Sequence, residues 1–238
     1  MHETLRPVLV EAPVDRPSGP GWPESVAGVA AYGMLYAAVA LFLRHAVLSD
    51  TMAGLIGFVL SAVMGLGAFA VAALLRIRRL APFGLRRVSG RSLLAAVGFG
   101  VVAYVLATIA SLLYQAVAGD HQNVQGGYQA AAAGGLLWYL ATAVAGFVAT
   151  PIGEELIFRG VLANALGRYG AWVSVLASAT VFALVHGLNP VLPVAFVVGV
   201  INALLLRRTG SVWPGIVVHG VNNALAMSVP VVLALASG

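Results

Sequence analysis

The sequence predicts an all-α fold, a polytopic transmembrane helical bundle of about seven spans (six to eight), and three observations carry this. The chain of 238 residues is 61% hydrophobic and only 9% charged, far below the ~25% charged residues of soluble domains. Its mean hydropathy is +0.96. Its apolar runs repeatedly reach the ~20 residues that a helix rising 1.5 Å per residue needs to cross a bilayer.

Residues 1–24 come first, polar and punctuated by Pro7, Pro13, Pro17, Pro20 and Pro23. They lack the early apolar stretch and small-residue cleavage site of a signal peptide and read as a disordered tail. Residues 25–238 then form one transmembrane domain, with candidate spans at 26–48, 51–75, 93–117, 131–151, 170–187, 192–206 and 212–235. The stretch 152–168 continues the fourth span as helix but carries three charges. The sixth run is short, and Gly187-Leu188-Asn189-Pro190 before it is expected to dip into the protein beside His186. Irregular backbone at membrane depth needs protein or a wet cavity around it. Gly65, Gly67, Gly98 and Gly100 read as close-packing positions, Asn189 as a loop cap and Asn202 as an interhelical contact.

The net charge of +5 comes from arginine, since the chain has no lysine. Most arginines sit at the ends of apolar runs rather than clustered on a soluble face, which argues against nucleic acid as a partner. The 76–91 connection holds Arg76, Arg78, Arg79, Arg86, Arg87 and Arg91. By the positive-inside rule it is expected in the cytoplasm with Arg168, Arg207, Arg208 and the N-terminus, the Asp120–Gln129 loop lying outside. Arg44 and His45 sit against that trend. The absence of cysteine excludes disulfides, cysteine-ligated metals and thiol catalysis. The expected location is a cell membrane of prokaryotic inner-membrane type, with the lipid bilayer as a partner. A homodimer through the glycine-rich early spans is left open.

Charged side chains inside spans are costly and mark function by default. Apart from Arg44, all of them lie beyond position 150. Glu154, Glu155 and Arg159 stand in Pro-Ile-Gly-Glu-Glu-Leu-Ile-Phe-Arg-Gly, His186 ends Phe-Ala-Leu-Val-His, and His219 opens His-Gly-Val-Asn-Asn. Three apolar segments each bring polar groups with no local partner, so they are expected to meet. Glu155 and Arg159 are spaced i,i+4 and stack as an ion pair, while Glu154 is turned about 100° away. Phe182 shares a face with His186, and His219 shares one with Asn223; Asn222 is expected to point elsewhere. Taken singly, the Glu155–Arg159 pair or either histidine reads as helix packing. Packing alone accounts poorly for Glu154, both imidazoles and Asn223 together.

A carboxylate beside an imidazole can activate water as a general base, and an imidazole with a carboxamide can serve a developing oxyanion. The same atoms could hold Zn²⁺ through two His and one Glu, although H-E-x-x-H is absent.

The motifs E-E-x-x-x-R (Glu154, Glu155, Arg159), F-x-x-x-H (Phe182, His186) and H-x-x-x-N (His219, Asn223) resemble those of the CAAX protease and bacteriocin-processing (CPBP) family, which includes the Ras-converting CAAX prenyl endopeptidases. The resemblance covers a core at about 131–230, with all three motifs in the family order. It implies an intramembrane glutamic endopeptidase in which Glu154 is the general base, polarising water with His186. His219 and Asn223 form the oxyanion hole, Glu155 and Arg159 support the site, and Phe182 lines the pocket. It further implies no metal and no cofactor. The implied partner is a peptide or protein substrate in or at the membrane. Prokaryotic relatives generally lack the prenylated substrates from which eukaryotic members remove a C-terminal tripeptide. Two other classes stay in view: a non-catalytic bacteriocin-immunity or peptide-binding membrane protein, and a proton-coupled transporter, although no internal repeat of the transporter kind is visible.

One consequence of the threading conflicts with the cluster. Counted along straight helices from the arginine side, Glu154 and His186 lie about 21–24 Å deep but His219 only about 10 Å. They meet only if helices tilt or bend, or if the last loop dips inward.

Overall fold

A computed structural model describes residues 19–237, and among these it holds helices and no strand. The helices are α1 (Trp22–His45), α2 (Asp50–Leu75), α3 (Gly90–Ala118), the short α4 (Gly126–Ala133), α5 (Leu136–Tyr169), α6 (Ala171–Leu184), α7 (Val191–Thr209) and α8 (Trp213–Ser237). Six are long and apolar enough to cross a membrane; the candidate at 170–187 is realised as the shorter apolar helix α6. The chain is an all-α, multi-pass membrane protein. Its lipid-side surface is built of exposed side chains such as Leu94, Leu112, Leu137 and Leu235, tolerable where hydrocarbon replaces water.

The tail assignment falls largely on residues 1–18, outside the described residues. Its last part is helix: α1 begins at Trp22, with Pro23 in the first turn, where a missing N–H costs nothing. Glu24 is fully buried there. It accepts from the Gly21 backbone N–H at 2.9 Å and pairs with Arg76 through Nε and Nη2 at 2.7 and 2.8 Å. Nearby, Trp22 donates to the Tyr169 hydroxyl at 2.7 Å and Arg168 to Pro20 O at 3.1 Å. The starts of α1 and α3 and the ends of α2, α5 and α7 therefore share one arginine-rich end.

Glycine decides how closely α2 and α5 cross. A Cβ on Gly65 would overlap the Gly153 carbonyl, and one on Gly153 would stand 2.8 Å from Ala62 O. Gly100 meets Val221 in the same manner and Gly67 meets only the tip of Leu35, but Gly98 faces nothing within 4 Å. The packing role expected of Gly98 is thus wrong, because among the described residues nothing packs on that face of α3.

α5 is widened twice, by π-helical turns at Ala143–Ala149 and Leu156–Ala163, with the two glutamates between them. Such turns recur at functional sites. In the first of them the Thr150 N–H reaches Ala145 O, five residues back. Pro151, next in that register, has no N–H to give to Gly146 O, and this carbonyl is left for a side chain from another helix.

The depth conflict is resolved by the loops. Phe83, in a 3-10 turn after α2, is fully buried and packs edge-on against Phe69 at 5.3 Å. Its carbonyl lies against Gly160 of α5, 3.0 Å from where a Cβ would be. Gly84 O then accepts from Val212 N at 2.9 Å, and Ser211 Oγ donates to Arg86 O at 2.8 Å. The α7–α8 connection is thereby held at the level of Gly160. From Gly160 back to Glu154 is about 9 Å of helix, and from Val212 on to His219 about 10 Å. The last loop dips inward, and His219 rises to meet Glu154.

Candidate active site

The elements above bring one residue set to the floor of a cavity of about 580 Å³, a size suited to a ligand. Glu154, Phe182, His186, His219 and Asn223 all line it. Glu155 and Arg159 lie just beneath, with no exposed surface.

Glu154 is reached from α2, which the Gly65–Gly153 crossing holds close. Ser61 donates its hydroxyl to Glu154 Oε1 at 2.6 Å, a short charge-assisted bond. The other oxygen, Oε2, faces His219 Nε2 at 3.8 Å. The opposite nitrogen of that ring, Nδ1, lies 3.1 Å from Glu155 Oε1. His219 thus bridges the two adjacent carboxylates, which leave α5 in different directions.

Glu155 pairs with Arg159 at 3.2 Å, as the i,i+4 spacing requires. Asn202 of α7 is fully buried beside this pair. The missing side chain of Gly215 makes room for it: a Cβ there would sit 3.3 Å from both Asn202 Cγ and Glu155 Oε2. The Arg159 guanidinium carbon stands 4.3 Å from the centre of the Phe182 ring, a cation–π contact in a desolvated setting. Phe182 also packs against His186 and His219, with ring centres 4.8 and 5.7 Å away. It is therefore the common spacer of the cluster as well as a wall of the cavity.

His186 closes α6. Its Nδ1 lies 2.8 Å from Phe182 O, and since a carbonyl only accepts, this nitrogen carries the hydrogen and Nε2 is the acceptor of the neutral ring. Asn189 caps the following turn as expected, donating to His186 O at 2.6 Å and accepting from Val191 N at 2.8 Å. The turn runs along the cavity wall.

Asn223 donates to Gly146 O at 3.1 Å, the carbonyl that Pro151 leaves free. Asn222 was expected to point elsewhere, and this is incorrect. It lines the same cavity and donates to Asn223 Oδ1 at 3.3 Å, because the cavity curves around α8 by more than the angle between successive residues. Sequence reasoning also missed Ser61, one hydroxyl in a long apolar run with nothing to single it out. Pro151 was the available hint for Asn223, since a proline within a helix leaves a carbonyl for others to bind.

Among the described residues, no three His, Asp or Glu side chains are grouped so as to hold a metal ion. The zinc arrangement left open by the sequence requires His186, His219 and a glutamate in one such group.

Residues 136–225 match the family model described as Rce1-like, type II CAAX prenyl endopeptidase Rce1-like. This stretch runs from the start of α5 to just past Asn223 and contains all three motifs. No curated protein and no solved structure matches the chain.

Proposed function

Since residues 136–225 match the Rce1-like family of CAAX-type membrane proteases, we propose that the chain is an intramembrane glutamic endopeptidase. Its substrate is a membrane-associated or lipidated peptide, cut by water that Glu154 activates. One observation carries this reading: Glu154, fixed through one oxygen by Ser61, lies on the floor of a cavity that His186, His219 and Asn223 also line.

The steps follow from the atoms present. A water at Glu154 gives up a proton to the carboxylate as its oxygen attacks the scissile carbonyl carbon. The Nε2 lone pair of His186 accepts from the same water and orients it. The carbonyl becomes an oxyanion, met by an amide hydrogen of Asn223 and, when Nε2 also carries a proton, by His219. Collapse of the intermediate breaks the C–N bond, and the proton held by Glu154 passes to the departing amine. Glu155 and Arg159 take no part in bond making. Their role is to hold His219 and Phe182 in place from below. By the positive-inside rule the N-terminus and the arginine-rich end lie in the cytoplasm of a cell membrane.

The test is cleavage of a mixed pool of lipidated and transmembrane peptides by detergent-purified protein, wild type beside Glu154→Gln, with and without a chelator. Cleavage that is lost in the variant but unaffected by chelator supports the proposal. Cleavage that survives Glu154→Gln removes the assigned base.

A further inference from the structure

The cavity is strongly one-sided. Glu154 and His219 line its inner end, about one turn along α5 and α8 from Ile157 and Ile216, which belong with Phe83 and Phe158 to the packed core. From there it runs away from the arginine-rich end to Gln115 near the end of α3 and to Val124, Gln125 and Gln129 around the start of α4. Val124 is 44% exposed, so the cavity reaches the surface there, and Tyr36 and Leu112, 47% and 59% exposed, open it sideways along α1 and α3 as well. The arginines of the 76–91 connection, with Arg168, Arg207 and Arg208, all stand at the closed end. Clustered arginine in short connections marks the cytoplasmic side. The mouth at the α3–α4 end therefore faces the opposite, extracytoplasmic side, and the opening along α1 and α3 faces lipid.

The wall chemistry narrows what enters. Among the described residues, Glu154 is the only Asp, Glu, Lys or Arg lining the cavity, and the remaining polar groups are amides, hydroxyls and imidazoles. His219 and Pro230 of α8 both line it, which gives a depth of about 16 Å along that helix. A C-terminal leaving tripeptide spans about 10 Å when extended. Its carboxylate would end inside the cavity, in the field of Glu154 and with no arginine or lysine among the described lining residues to pair with, a costly placement. The glutamines at the mouth offer instead both donors and acceptors to an uncharged, extended backbone.

We infer that this site is loaded from the extracytoplasmic face and takes an uncharged internal segment of an exported or membrane-spanning polypeptide. This names the substrate class of the site proposed above, but the side from which it is loaded is testable without any catalysis. The chain has no cysteine, so single cysteines report accessibility directly. Gln125→Cys and Gln129→Cys probe the mouth; Ala81→Cys and Arg208→Cys, both at exposed positions, probe the other end. Intact cells are treated with a membrane-impermeant maleimide, then permeabilised and treated again. The expected result is at least tenfold faster labelling of the two mouth positions in intact cells, with Ala81→Cys and Arg208→Cys labelled only after permeabilisation. The reverse pattern overturns the inference even if the protein proves to be a protease. For the substrate class, an acetylated Ala/Leu heptapeptide amide is expected to protect Gln129→Cys at a concentration at least tenfold below that of its free acid. Equal protection, or none from either peptide, overturns that part. Labelling as expected in a protein that cleaves nothing would leave the mouth assigned and the protease reading at fault.

Discussion

A Cβ on Gly65 would stand 2.8 Å from the backbone nitrogen of Glu154, so α2 rests directly on the turn of α5 that carries the proposed base. The contact is backbone on backbone and cannot yield as a flexible side chain would. Gly65→Ala is expected to separate the helices, to destabilise the protein by about 1–3 kcal/mol and to lower cleavage at least tenfold by withdrawing Ser61. Gly98→Ala, which meets no neighbour among the described residues, is expected to stay within about 0.5 kcal/mol of wild type. Thermal unfolding in detergent, run beside the cleavage assay, checks both.

Glu154→Gln keeps an oxygen for the Ser61 hydroxyl but loses the capacity to take a proton. Its kcat is expected to fall by about 10²–10⁴ with the melting temperature nearly unchanged. Single-turnover cleavage beside a melting curve separates this from unfolding; a large drop in stability would mean that Glu154 serves mainly to hold the bundle.

The Glu155–Arg159 pair is fully buried, and removing one partner strands the other charge away from water. Glu155→Gln and Arg159→Met are each expected to cost about 3–5 kcal/mol, the double variant less than the sum. A double-mutant cycle on unfolding free energies measures this coupling. Additive losses would mean that the two side chains are stabilised by other neighbours.

Asn223 and Asn222 are expected to part company in kinetics. Asn223→Ala removes a proposed oxyanion donor and should lower kcat by about 10²–10³ with little change in KM. Asn222→Ala removes only the group that donates to Asn223 Oδ1, and a loss of about tenfold or less, one hydrogen bond's worth, is expected. Equal losses would assign Asn222 to the reacting atoms.

Exhaustive chelation is expected to leave cleavage unchanged. Loss of activity that Zn²⁺ restores would require His186, His219 and a glutamate to come together in a conformation other than the one described here.

The sequence alone determined a great deal. Composition and run length set the helical membrane class, because 9% charged residues cannot clothe a soluble surface. The isolation of Glu154, Glu155, Arg159, His186, His219 and Asn223 in apolar segments announced that they meet, because unpartnered polar groups in hydrocarbon are too costly to scatter. The i,i+4 pairing of Glu155 with Arg159 was readable because it is local. What the sequence left open depended on distances between segments far apart in the chain. Nothing local tells that Phe83 turns inward to Gly160 and carries Val212 with it, yet that pair of contacts sets His219 at the height of Glu154. Ser61 and Asn202 are ordinary polar residues until two glycines, Gly65 and Gly215, let them approach the carboxylates. Gly98 and Asn222 were misjudged for the same reason: which face of a helix is covered is decided by its neighbours. Which end of the cavity is open was likewise settled only by packing, since helical periodicity specifies faces but not which layer of the bundle is filled.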